Sequence, residues 1–121
     1  MQKSELFAGG KILICVDVVN SRYKAKGLTS YLRAMLNIDP AKTHDWYLFC
    51  NKRCTRIKIL HYDHKSVWFI ERELLDGSRY PQLLADAASG LVTLTRAELR
   101  LMFDQSVGRV SSGRSLPLTI A

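Results

Sequence analysis

The fold of this chain is decided by residues 45–80, DWYLFCNKRCTRIKILHYDHKSVWFIERELLDGSRY. Runs of β-branched and aromatic residues fill this stretch, and two short polar segments, 51–53 (NKR) and 63–66 (DHKS), interrupt them. Such runs are typical of β-strands, and such interruptions are typical of hairpin turns. The pattern therefore predicts three antiparallel strands, followed by a short return strand after Asp76-Gly77.

The second of these strands, residues 56–62, has side chains that point alternately to the two faces of the predicted sheet. The alternation predicts two sets of residues: Ile57, Ile59 and His61 on one face, and Arg56, Lys58, Leu60 and Tyr62 on the other. A meander of this kind buries one face and leaves the other in contact with water. We therefore expect the functional surface on the face that carries Arg56 and Lys58.

A strand and a helix are predicted before the meander. Residues 11–19 (KILICVDVV) form an almost continuous apolar run, which is typical of a strand buried on both faces. Asn20-Ser21 offers a helix N-cap, and apolar residues recur at helical spacing from Leu28 to Leu36. A helix from about residue 21 to Leu36 is expected, ending before Asp39-Pro40.

A second strand and helix are predicted after the meander. Residues 90–94 (GLVTL) read as a short strand, and Thr95 with Glu98 forms a capping box that begins a helix. The segment 82–90 between Pro81 and this strand is ambiguous between a loop and one helical turn. The predicted order is β-α-β-β-β-(β)-β-α. This order indicates an α+β fold: a single domain in which an antiparallel β-meander sheet packs against two helices on one face.

The length of 121 residues and a hydrophobic content of 47% are typical of one globular domain. We expect residues 1–10 to be a flexible lead-in, residues 11–106 to be the α+β domain, and residues 107–121 to be a flexible basic tail. No run is long enough for a membrane helix, and the first residues lack a signal-peptide core. These features, and three cysteines that favour reduced thiols over disulfides, predict a cytoplasmic protein, with nucleoid association as a further option.

The positive charge is clustered along the sequence. The net charge is +7, from 18 Lys and Arg against 11 Asp and Glu. Two stretches contain cations and no acid: Arg22, Lys24, Lys26 and Arg33 in the first, and Lys52, Arg53, Arg56 and Lys58 in the second. Clustered cations on a small domain point to a polyanion, most often a nucleic acid. The alternative is a generic basic surface that keeps the protein soluble.

Two arrangements of residues resemble chemical sites, and the pattern argues against both. Cys50, Cys54, His61 and His64 have the residue types of a zinc site, but the expected strands and the short spacing do not suit one. Arg56, Lys58 and His61 could form a nuclease-like cluster, but alternation places His61 on the opposite face from the two cations. We therefore expect no metal, no cofactor and no catalytic residue.

Three blocks of the sequence resemble the small accessory protein, encoded by the second reading frame, of insertion-sequence 66 type transposable elements. Residues 19–28 are similar to the pattern V-D-M-R-K-x-x-x-G-L, and residues 49–63 to F-x-N-R-R-R-D-R-L-K-L-L-x-W-D. Residues 90–99 are similar to G-x-V-x-L-T-x-x-x-L, and the stretch 68–80 continues the middle block. In the first block Arg22 is the charge of the Asp-Met-Arg-Lys motif that this chain retains.

The resemblance implies a non-catalytic helper of bacterial DNA transposition that is encoded beside a separate transposase. It implies contact with DNA, with the transposase of the same element, or with both. The cations at family basic positions, or in the family's basic turn, are Arg22, Lys52, Arg53, Arg56 and Lys58, and charge clustering adds Lys26. Two other classes of function fit the same composition: a small RNA-cleaving toxin of α+β type, and a pure protein adaptor.

Overall fold

A five-stranded mixed sheet is the centre of the computed structural model, which describes residues 6–17, 19–81 and 90–104. The elements in chain order are β1 (Ile12–Cys15), α1 (Ala25–Met35), α2 (Pro40–Thr43), β2 (Trp46–Cys50), β3 (Arg56–Tyr62), β4 (Val67–Glu73), β5 (Leu91–Leu94) and α3 (Arg96–Asp104). Apart from the bracketed return strand, the predicted order is confirmed, with the short helix α2 added. The predicted return strand after Asp76-Gly77 is wrong, since the described residues there form a single bridge position at Arg79.

The sheet is mostly antiparallel, but it is not a simple meander. Its strand order is β4-β3-β2-β1-β5, and β1 pairs parallel with β2 while every other pair is antiparallel. The meander prediction therefore holds for β2, β3 and β4 and fails for the sheet as a whole. The reason lies in α1, because a helical connection returns the chain to the end of the sheet where β1 began.

Both faces of the sheet are covered, which corrects the expectation of one solvent-exposed face with helices on the other. The helix α1 lies over β3 and β4 on one face, and its core contains Cys15, Val19, Leu28, Leu32, Tyr47, Phe49, Leu60 and Leu91. The helix α3 covers the other face, and its core contains Phe7, Ile12, Ile14, Trp46, Leu48, Ile57, Ile59, Tyr80, Val92, Leu94, Leu99 and Met102. The side-chain alternation predicted for β3 is confirmed.

Residues 6–10 contribute to the core on the α3 side. Phe7 is 5% exposed, and its ring lies 5.1 Å from that of Trp46 and 6.0 Å from that of Phe103. The Trp46 indole Nε1 donates to the Ala8 carbonyl at 3.0 Å, and Arg96 Nη2 donates to the Phe7 carbonyl at 2.7 Å. This part of the expected lead-in therefore packs with the domain. Residues 1–5, the ambiguous segment 82–89 and the expected tail 107–121 lie outside the described residues.

The first helix begins later than predicted, and the second begins as predicted. Asn20 does not cap α1; its side-chain oxygen accepts from the Arg22 backbone N–H at 2.8 Å, which forms a turn. The helix begins at Ala25, after an N-cap residue that makes no side-chain capping bond. At α3 the capping box is confirmed: Glu98 N–H donates to Thr95 Oγ1 at 3.1 Å, and Thr95 N–H donates to Glu98 Oε1 at 2.8 Å.

The turn between β3 and β4 is organised by the carboxylate of Asp63. It accepts hydrogen bonds from the backbone N–H groups of Lys65 and Ser66, from the Ser66 hydroxyl, and from the Trp68 indole at 2.8 Å. The bond from Trp68, followed by the two backbone bonds, lowers the pKa of Asp63 below its ordinary value. The ionised carboxylate therefore stabilises the folded state.

We expect Asp63→Asn to weaken the acid sensitivity of the fold. An unfolded aspartate titrates near pH 4 and folded Asp63 titrates lower, so its contribution is present above about pH 4 and is lost as the pH falls toward the folded pKa. The free energy of unfolding, measured with urea from pH 7 downward, should fall less steeply below about pH 4 in the variant. Equal slopes for Asp63→Asn and wild type would contradict this account.

Candidate nucleic-acid interface

Two chain segments that carry predicted cations leave the same end of the sheet. Because β1 and β2 are parallel, their carboxyl ends lie together, and the loop 16–24 and the turn 51–55 begin there. The helix α1 also begins at this end. In open sheets, ligands bind outside the carboxyl ends of parallel strands. We call this region the basic end and define it by its exposed cations, Arg22, Lys26, Lys52 and Arg53.

The charges of the four cations of the basic end are not neutralised by nearby acidic side chains of the described residues. None of them forms an ion pair with the residues described by the structure. The first turn of α1 contains no acidic residue, and the N-terminus of a helix carries a partial positive charge of its own. The loop 16–24 also carries the exposed acid Asp17, but the free cations outnumber it, so the balance of charge at this end attracts anions.

The turn 51–55 presents two of these cations because Asn51 fixes its shape. Asn51 Oδ1 accepts from the backbone N–H groups of Thr55 and Arg56, each at 3.0 Å, and its Nδ2 donates to Thr55 Oγ1 at 3.1 Å. A backbone bond from Cys54 N–H to the Asn51 carbonyl closes the turn at 3.0 Å. Lys52 and Arg53 stand at its exposed tip, where neither takes part in the core.

Arg56 borders the basic end with its charge already balanced. Its guanidinium donates from Nε, at 3.2 Å, and from Nη2 to the carboxylate of Glu73 on β4. The two side chains are 34% and 47% exposed. An exposed pair of this kind contributes little to stability, so a strong anion can compete for the arginine.

Lys58 faces the protein rather than solvent, although the sequence placed it with the contact residues. It is 2% exposed, and its Nζ donates to the carbonyls of Ser21 at 2.6 Å and Tyr23 at 2.5 Å. Glu71 Oε1 lies 4.0 Å from the same Nζ. Burial lowers the pKa of Lys58, and the neighbouring carboxylate opposes that shift. Burying an unpaired charge is costly, so a buried lysine requires partners of this kind.

The residues considered for catalysis or metal binding do not converge. The His61 imidazole stacks on Trp46, with centroids 3.8 Å apart, on the face opposite Lys58. Cys50 pairs with Ile57 and His61 with Trp46, four positions apart along the hairpin, which is about 13 Å. Within residues 6–17, 19–81 and 90–104, no group of three or more His, Cys, Asp or Glu side chains is placed to hold a metal ion.

The fold and the basic end define a class of protein: a small α+β domain with exposed, unpaired cations at one end of its sheet. The profile of one family, described as IS66 Orf2 like protein, matches residues 10–107. The chain belongs to this family, whose members are accessory proteins associated with transposition. Comparison with curated proteins and with solved structures found no match. Among the described residues, no helix has the length and apolar character to cross a membrane.

We expect Lys58→Met to destabilise the fold more than Arg56→Met. Removal of the buried ammonium leaves two carbonyls without their donor, which costs about 1–3 kcal/mol for a buried group. Removal of the Arg56 guanidinium should cost less, because solvent screens its pair with Glu73. The measurement is the free energy of unfolding in urea at neutral pH and fixed ionic strength. Equal losses in the two variants would show that the Lys58 hydrogen bonds contribute little.

Proposed function

We propose that this protein assists transposition of its insertion-sequence element by binding duplex DNA through the basic end. The observation that carries the proposal is that four exposed cations, without an ion-pair partner in the described residues, lie at the end of the sheet where α1 begins. Lys and Arg that neutralise phosphates release counterions from DNA, and this release drives binding without regard to sequence. The protein then acts as a non-catalytic helper beside the transposase.

The positions of the cations support weak and mostly non-specific binding. Arg22, Lys52 and Arg53 stand on a loop and a turn, and Lys26 stands in the first turn of a helix whose apolar stripe is packed on the sheet. Side chains on such segments reach phosphates, which position a protein on DNA but carry no sequence information. Specificity for the element would then come from the transposase, which we propose as the second partner.

The charge of the basic end also supports contact with an acidic surface of the transposase, and this is the adaptor alternative. The toxin alternative has less support, because Arg56 is paired with Glu73, Lys58 is buried, and His61 lies on the other face. Action on chromosomal DNA belongs to the same proposal and places the protein in the bacterial cytoplasm at the nucleoid.

The first test is the salt dependence of binding to a labelled DNA duplex. With about four to six phosphates contacted, the logarithm of the association constant should fall with the logarithm of salt concentration with a slope of roughly −4 to −5. Arg22→Gln and Arg53→Gln should each reduce the size of this slope by about one. Lys65→Gln is the matched control, because Lys65 is an exposed cation in the β3–β4 turn at the opposite end of the sheet.

Each alternative has its own signature in this experiment. If Lys65→Gln changes the slope as much as Arg22→Gln, the charge acts diffusely and the basic end is not the site. If the wild type binds no DNA at low salt but co-purifies with the transposase, the adaptor alternative is correct. Cleavage of RNA by the purified protein, lost in His61→Ala, would instead identify an enzyme. We expect Arg22→Gln with Arg53→Gln to lower transposition frequency in cells.

A further inference from the structure

The loop between β1 and α1 is held on the sheet by its own buried residue Val19 and by the buried side chain of Lys58. The carbonyls of Ser21 and Tyr23 both accept from Lys58 Nζ, and Arg22 lies between them with its own side chain exposed. The hydrogen bonds from Arg22 N–H to Asn20 Oδ1 and from Tyr23 N–H to the Asn20 carbonyl stay within the loop. The loop is also tied by Val16 N–H, which donates to the Gly90 carbonyl, and by the ion pair of Lys24 with Glu71 on β4. At Ser21 and Tyr23, on either side of Arg22, Lys58 supplies the hydrogen bonds to the sheet.

We infer that Lys58 is a positioning residue for nucleic-acid binding: its buried ammonium holds the loop around Ser21 and Tyr23 and so fixes Arg22 at the basic end. The inference rests on the proposed function and deepens it, because it assigns a role to a cation that does not touch the ligand. Lys58 affects DNA binding indirectly, because it fixes the backbone on either side of Arg22.

We call the hydrogen bonds from Lys58 Nζ to the carbonyls of Ser21 and Tyr23 the clamp. The chemistry of the site indicates that Lys58 serves this clamp and does not simply fill a place in the core. A sheet position that faces α1 is filled most cheaply by an apolar side chain, as Leu60 fills the next position on the same face. Lysine at this place requires partners, and an ammonium has three donors to satisfy. Two donate to the loop carbonyls, and the Glu71 carboxylate, which also pairs with Lys24 at 3.5 Å, balances the charge. Charged hydrogen bonds are stronger than neutral ones, so the loop is held firmly.

The packing of Tyr23 fixes the same loop from the side of the helix. A Cβ added to Gly27 would lie 2.9 Å from Tyr23 Cδ1, so the absence of a side chain at Gly27 admits the tyrosine ring onto α1. Arg22 is therefore flanked by two residues with defined places. A cation that is ordered before binding loses less conformational entropy when it contacts a phosphate.

The experiment is a double-mutant cycle on affinity for a labelled DNA duplex, with Lys58→Met, Arg22→Gln and the double variant. One phosphate contact at about 0.15 M salt corresponds to roughly a fivefold change in affinity. Arg22→Gln should cost this factor in the wild-type background and less than about twofold in the Lys58→Met background, because the loop no longer presents Arg22. The matched control is Lys52→Met, which removes the same charge from the exposed turn, and in that background Arg22→Gln should keep its full effect.

A role of Lys58 in stability alone would leave the cost of Arg22→Gln unchanged in folded Lys58→Met protein, and this result would overturn the inference. If Lys58→Met does not fold, the wild-type protein supplies the test. In its NMR spectrum the Lys58 ammonium protons should exchange slowly with water at neutral pH, unlike those of exposed Lys52. Fast exchange at Lys58 would also overturn the inference.

The clamp and the proposed function can fail separately. Amide hydrogen exchange at Arg22 and Tyr23 requires no DNA, and it should be faster in Lys58→Met than in Lys52→Met or the wild type. If wild-type protein binds no DNA but shows this difference, the proposed function and the role in DNA binding are wrong, and the clamp itself is correct. If DNA binds with the expected salt slope and amide exchange is unchanged in Lys58→Met, the clamp is wrong and the proposed function remains.

Discussion

The parallel pairing of β1 with β2 is the constraint on which the rest of the structure depends. It places the carboxyl ends of both strands at one end of the sheet, so the loop to α1 and the turn to β3 emerge side by side. It also obliges the connecting helix to lie across the sheet, which covers a face that a meander would leave exposed. The cations at 22–26 and 52–53 are separated in sequence by most of α1, by α2 and by β2. They lie at one end of the sheet because of this pairing.

The structure divides the basic residues into two groups with different uses. Those on β3 are paired, with Arg56 bound to Glu73 and Lys58 enclosed by loop carbonyls and Glu71. Arg22, Lys52 and Arg53, on the loop and the turn, are exposed and form no ion pair with the described residues. Of the two strand cations, Lys58 contacts the loop that carries Arg22. Membership of a transposition-associated family and a free cationic surface together are consistent with a helper that brings DNA and transposase into contact.

The sequence predicted those features of the fold that depend on interactions between residues close together in the chain. The hairpins around residues 51–55 and 63–66, the alternation along β3 and the capping box at Thr95 follow from short-range rules and were confirmed. The parallel neighbour of β2, the helix on the second face and the burial of Lys58 depend on contacts between residues far apart in the chain. Charge spacing alone could not show that a loop would fold over Lys58. The nearly unbroken apolar run in β1 was the one signal that both faces would be covered.

The most direct test of the central claim is an NMR titration of the ¹⁵N-labelled protein with a short DNA duplex. The account predicts that the largest changes in amide chemical shift fall in residues 21–26 and 51–55, which form the basic end. Residues 63–66, at the opposite end of the sheet, should shift little. Changes concentrated at 63–66 or along α3, or no changes at low salt, would contradict the claim that the basic end is the nucleic-acid interface.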